Sequence, residues 1–300
     1  MKTLLLVSLL LALSTGQALA DTPIRLDHAA SADAKITIRN VKGSVDVIAW
    51  DRNQVQVTGS LGKGAKPLEI TGSDNQLTIE VEAPGKSGWF NWSSDTAMGP
   101  TQLEVHVPRR AALEIEVVSA PLSIDGTDGG TIKVNSVSGK LRINARTPSL
   151  TVDSVSGSIE QAGKAQRANL QTVSGDILAP GLGSEAELQT VSGRIHVDGG
   201  PWSKLTLSTV SGDVQISGTP AAQGNLSIDS MSGDVQLQMP GTLAASIHAS
   251  TFSGDLRSDF GTPSKGDHGP GSELNTTVGN GSARIHAETF SGDLRIRKQD

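Results

Sequence analysis

Gln171-Thr172-Val173-Ser174-Gly175-Asp176-Ile177 returns as Gln189-Thr190-Val191-Ser192-Gly193-Arg194-Ile195, and the fold is decided by that return. The phrase, apolar-x-Thr/Ser-Val/Phe-Ser-Gly-x-apolar in general form, recurs from Asn135 to the end of the chain as NSVSGKL, DSVSGSI, QTVSGDI, QTVSGRI, STVSGDV, DSMSGDV, STFSGDL and ETFSGDL. Its glycines are Gly139, Gly157, Gly175, Gly193, Gly212, Gly233, Gly254 and Gly292, so successive spacings are 18, 18, 18, 19, 21, 21 and 38. The last spacing is close to two periods, and Leu274 to Ile285 offers a copy without the phrase. Val118-Ser119-Ala120-Pro121-Leu122 reads as a degenerate copy upstream.

A period of this length without helical spacing inside it reads as one coil of two or three short strands per repeat. Leu170, Thr172 and Ile177, or Leu205, Leu207 and Val214, supply the inward positions, and Ser-Gly supplies the corner, where glycine tolerates positive φ or a bulge. A single coil cannot bury its inner face, whereas coils stacked about 4.8 Å apart bury a continuous ladder, and ten or so would make a rod on the order of 50 Å long. The expected fold is therefore all-β: a single β-solenoid with a less regular N-terminal capping region.

Working outward, residues 119–300 hold the regular repeats and 21–118 the irregular rungs or cap. Alternation at Ile36-Thr37-Ile38, Val45-Asp46-Val47, Val55-Gln56-Val57 and Leu77 to Val81 marks strands there, with turns at Lys42-Gly43, Asp51-Arg52-Asn53 and Ser73-Asp74-Asn75. A Gly/Ser-rich loop insertion spans 84–100, after which strands resume at Leu103 to Val107 and Leu113 to Val117. The charged end Arg295 to Asp300 reads as a final strand protected against edge-to-edge pairing. At the other end, Met1-Lys2, the apolar run Leu4 to Leu13 and Ala18-Leu19-Ala20 have the layout of a secretory signal peptide over 1–20, cut before Asp21. That run is shorter than the roughly 18 apolar residues of a membrane span, and none follows it, so the expected mature chain is exported without a transmembrane segment, either periplasmic or secreted to the cell surface.

The chain has no cysteine, which excludes disulfides and thiolate metal sites. Its formal charge is −6, or −7 without Lys2 (24 Lys+Arg against 31 Asp+Glu), with no basic footprint for nucleic acid. Its 34 glycines, few aromatics and absent tyrosine suit short strands with frequent turns.

The repeats resemble the bacterial "putative adhesin" family, domains of unknown function that repeat T-V-S-G-D-I phrases behind a signal or membrane segment. Ile38-Arg39-Asn40-Val41-Lys42-Gly43-Ser44-Val45-Asp46-Val47 with Ala49-Trp50-Asp51 is similar to its opening motif, and Gly279-Asn280-Gly281 to Ile296 to its last rungs. The resemblance covers about Ile24 to Ile296 and implies a β-solenoid in the cell envelope, with an association to envelope stress in some relatives. It brings no catalytic residues to transfer.

Several groups could carry chemistry. The residue after each repeat glycine is Lys140, Ser158, Asp176, Arg194, Asp213, Asp234, Asp255 or Asp293. Asp213, Asp234 and Asp255 are expected on consecutive rungs and could hold a weakly bound cation, against the alternative of turn aspartates bonding local N–H groups. The two basic residues in the row argue against a metal ladder. His248 and His286 both precede their glycines by six residues and would stack if their coils were neighbours, but two imidazoles fall short of a zinc site and no acidic partner stands out. Trp89, Phe90 and Trp92 form the one aromatic cluster, suited to stacking on a sugar, to a partner's pocket, or to plugging the stack. Trp50 and Trp202 are isolated and read as structural. GxSxG, HExxH and GxGxxG signatures are absent, and acids alternate along strands at Glu80/Glu82 and Glu114/Glu116 as solvent-facing positions do. The expectation is a non-enzymatic module without cofactor that binds a glycan or an envelope protein. A self-assembling scaffold is the alternative, an exported polysaccharide lyase or hydrolase the third possibility, and the oligomeric state stays open.

Overall fold

A computed structural model describes residues 22–82, 98–265 and 271–299, all of it strands and connections. The first strands are β1 (Thr22–Ala29), β2 (Lys35–Trp50), β3 (Gln54–Leu61), β4 (Ile70–Ser73), β5 (Gln76–Glu80), β6 (Thr101–Pro108), β7 (Ala112–Ser119) and β8 (Leu122–Asp128). The repeats follow as β9 (Ile132–Ser138), β10 (Leu141–Ser154), β11 (Ile159–Gln161), β12 (Lys164–Thr172), β13 (Ile177–Leu182), β14 (Glu185–Ser192), β15 (Ile195–Ser211), β16 (Val214–Ser232) and β17 (Val235–Pro240). The chain ends with β18 (Ala245–Ser253), β19 (Leu256–Ser258), β20 (Ser264–Lys265), β21 (Ser272–Val278), β22 (Ala283–Ser291) and β23 (Leu294–Gln299).

The protein is a β-solenoid with two strands to a coil. Strands that lead into Ser-Gly stack in register, Leu170 on Val152, Leu188 on Leu170, Leu207 on Leu188 and Ile228 on Leu207. Strands that leave it stack likewise, Ile177 on Ile159, Ile195 on Ile177, Val214 on Ile195 and Val235 on Val214. Side chains alternate across each strand, so the inward members of both stacks meet in one continuous core of Leu, Ile, Val and Ala. Trp202 is the largest fully buried side chain in it, a structural role that agrees with its isolation in the sequence.

Each repeat glycine sits on the carbonyl oxygen of the rung beside it. A Cβ would lie 2.2 Å from the Gly157 oxygen at Gly175, 2.1 Å from the Gly175 oxygen at Gly193 and 1.9 Å from the Gly193 oxygen at Gly212. Positive φ adds to the requirement at Gly139, Gly233, Gly254 and Gly292. Rung-to-rung contact is thus common to the whole row, and the special backbone conformation only to part of it.

Sequence order breaks at both ends. β22 and β23 lie between β16–β17 and β18–β19, with Ile285 paired to both Leu226 and Ile247 and Leu294 to both Val235 and Leu256. β21 then runs antiparallel along β18, and β20 along β21. Two expectations are corrected by this arrangement. Leu274 to Ile285 does not form an additional coil, because its first half closes the stack antiparallel to β18. The charged final strand is not an edge, because β23 has a strand on each side and Arg295 meets Asp234 and Asp293. The N-terminal end mirrors this: β2 lies between β5–β6 and β7–β8, while β3 runs antiparallel on β6 and β1 on β3.

Candidate functional site

Alternation places the residue before Ser-Gly outside the coil, because the Thr or Ser before it is inside. Ser154, Thr172, Thr190, Thr209, Ser230, Thr251 and Thr289 are all buried. Their apolar successors Val155, Val173, Val191, Val210, Met231, Phe290 and Phe252, in spatial order, are about half exposed, from 45% at Val210 to 59% at Met231. The column ends in two parallel rings, Phe252 and Phe290, with centroids 4.8 Å apart.

Next to it on the same face runs a polar column, Asp153, Gln171, Gln189, Ser208, Asp229, Glu288 and Ser250. The polar column and the apolar column from Val173 to Phe252 line a groove of about 840 Å³ that crosses rung after rung. Thr172 and Thr190 donate their hydroxyls to the carbonyls of Gly157 and Gly175, at 3.3 and 3.4 Å. The hydroxyls of Thr209, Ser230 and Thr289, further along, have no hydrogen-bond partner in the protein. The repeat phrase carries the signal for this outward face: strict alternation from the buried threonine turns the Val/Met/Phe position to the outside.

The residues after the glycines form a second row on the other stack of strands. The Asp176 carboxylate accepts from the Arg194 amide at 2.9 Å, Asp213 from Asp234 N–H at 3.1 Å, Asp234 from Asp293 N–H at 3.0 Å and Asp293 from Asp255 N–H at 3.0 Å. Asp293 therefore separates Asp234 from Asp255, so the three candidate aspartates are not on consecutive rungs. Arg194 pairs with the second oxygen of Asp176, Arg295 with those of Asp234 and Asp293, and Arg257 with an oxygen of Asp255. The Arg194 amide, then its guanidinium, hold the Asp176 carboxyl below the usual aspartate range. These carboxylates already serve neighbouring amides and guanidinium groups, which compete with a cation for them.

His248 and His286 are neighbours, their rings parallel with centroids 5.0 Å apart. Glu288 joins them: its Oε1 lies 3.2 Å from His286 Nε2 and 3.9 Å from His248 Nε2. The acidic partner was legible as the residue two beyond His286, hence on the same face of the strand; the pairing with His248 was not, because it depends on the displaced rung. Of the other histidines, His106 lies 4.9 Å from the Trp50 ring, His196 bonds Asp198 at 2.8 Å and His28 bonds the Ala29 carbonyl. Trp89, Phe90 and Trp92, and residues 1–20 with the expected signal peptide, lie outside the described residues.

Comparison with known proteins gives a family model described as Toastrack DUF4097, which matches residues 34–297. No curated protein matches the chain. Among solved structures, a "putative adhesin" from Bacteroides fragilis is 13% identical, with a TM-score of 0.46 over 92% of this chain and 98% of that one. A "putative lipid binding protein" from Parabacteroides distasonis is 14% identical, with a TM-score of 0.43 over 93% and 97%. A "putative adhesin" from the same species is also 14% identical, with a TM-score of 0.43 over 93% and 98%.

Proposed function

The chain belongs to the Toastrack DUF4097 family, and from that premise we propose that it is an exported, non-enzymatic, adhesin-like binding module of the cell envelope whose ligand lies along the groove beside the Val155-to-Phe252 column. The observation that carries this reading is the continuity of the groove. An apolar rail and a polar rail run in parallel over successive rungs, and the rung spacing of about 4.8 Å repeats the same pair of contacts at each step. An extended polymer, a glycan strand or an extended envelope polypeptide, presents contacts at a regular spacing of its own. The apolar rail supplies burial, including the stacked Phe252 and Phe290 faces, and Gln171, Gln189, Ser208 and Asp229 supply hydrogen bonds. Export rests on the first twenty residues of the sequence, and the mature chain would begin at Asp21.

The test is a glycan and peptidoglycan array, run with the wild-type protein, Met231→Lys/Phe290→Lys, and Trp89→Ala/Trp92→Ala. Binding lost in the Met231/Phe290 variant while it still melts cooperatively supports the groove. Binding lost only in the tryptophan variant moves the site to the 84–100 insertion, and no binding by any protein sinks the reading. Asp229 and Glu288 stand on adjacent rungs of the groove. New reducing or unsaturated ends in a bound glycan would therefore overturn the non-enzymatic assignment and point to that pair.

A further inference from the structure

We infer that His248, His286 and Glu288 form a site for a divalent transition-metal ion of the zinc class, which fastens the displaced C-terminal rung to its neighbour. One ligand atom from each of the three residues lies within 4.8 Å of the others. Zinc holds imidazole nitrogen and carboxylate oxygen at about 2.0–2.2 Å, so tetrahedrally placed ligand atoms stand about 3.3 Å apart. His286 Nε2 and Glu288 Oε1 are already at 3.2 Å, and His248 Nε2 is 3.9 Å from the same oxygen. The rings are about 40% exposed, and the torsion that swings an imidazole is soft, so closing the remaining gap needs no movement of the backbone.

The surroundings hold one ligand in the required form. Asn275, on the antiparallel strand β21, donates its amide N–H to the Glu273 carboxylate. Its Oδ1 is thereby turned toward His248 Nδ1, 2.5 Å away. This places the His248 proton on Nδ1 and leaves Nε2 bare on the side of Glu288, the arrangement by which a hydrogen-bonded carboxamide or carboxylate orients a metal-bound histidine. Two imidazoles and a carboxylate suit zinc and, among the other first-row ions, copper and nickel. The fourth position would remain open to water or to an oxygen of the groove's occupant, since Glu288 lines the groove as well.

The site requires tertiary structure. His248 belongs to β18 and His286 to β22, and they pair in register because β22 is inserted between β16 and β18. A bound ion would bridge β22 to β18 directly and hold the insertion closed.

Isothermal titration of Zn2+ into untagged, EDTA-treated protein tests the proposal. A saturable one-to-one isotherm is expected, weakened about tenfold or more in His248→Ala and in His286→Ala, less in Glu288→Gln, and unchanged in His196→Ala. Equal affinity in the wild type and the His248→Ala/His286→Ala double variant would overturn it, as would a wild type without a saturable isotherm. The melting midpoint in EDTA, expected to be the same for wild type and variants, separates loss of binding from loss of fold. If an alanine variant melts early, His286→Gln supplies the comparison.

Discussion

At the scale of single residues, the repeat is enforced by glycines whose missing side chain admits the next rung. Gly193→Ala would put a methyl 2.1 Å from the Gly175 carbonyl oxygen, an overpacking that costs about 1–3 kcal/mol. Gly241→Ala has open space around its Cβ and should stay within about 0.5 kcal/mol of wild type. Chemical denaturation of the two variants measures the contrast, and equal losses would contradict the role given to the row. Trp202→Ala, which empties the largest fully buried site, is expected to cost about 3–5 kcal/mol in the same assay. Asp176 gives a pH dependence with a definite sign. Its carboxyl titrates below its ordinary value, so its contribution is complete above the ordinary aspartate range near pH 3.9 and is lost as acid takes the pH down through the folded value. Asp176→Asn should flatten that part of an acid-unfolding curve only slightly, because the exposed Asp176–Arg194 pair contributes little even at neutral pH, where its contribution is complete.

Among the elements, the ones that break sequence order deserve the sharper test. β22 has strands on both sides, so a chain ending at Asn280 would leave facing edges on β16 and β18 with no partner between them. Such a truncation is expected to aggregate, or to lose the β18–β21 pairing, with light scattering and hydrogen exchange as the measurements. A truncated chain that stays monomeric with β18 protected would show that the insertion is dispensable. The ends of the solenoid use one device: strands turn antiparallel, β3 on β6 and β21 on β18, and the parallel stack stops there. Because the aspartate row links each rung to the next amide through a side chain, it acts along the stack in parallel with the backbone ladder.

The whole molecule behaves as a one-dimensional stack in which each rung touches its neighbours, and its protection should follow position. Amides between β10 and β16 are expected to exchange last, and those of β1, β4 and β20 first. Uniform exchange across the chain would mean that the stack opens only as a unit. Much of this architecture was legible from the chain alone: the Thr-Val-Ser-Gly period specifies coils, alternation specifies which side of each strand is buried, and Ser-Gly specifies the corner. These are local properties, determined by residue volume and by the two-residue period of a strand. The order of the rungs at the ends was not legible, because identical phrases stack equally well in any order and the connections are long enough to allow more than one. That order places Asp293 between Asp234 and Asp255, gives the charged last strand a partner on each side, and brings His248 against His286 and Glu288. The sequence by itself determined the coil and its outward-facing columns; the tertiary structure alone decided which coils are neighbours, since register within a rung is a local matter and adjacency between rungs is settled only when the whole stack closes.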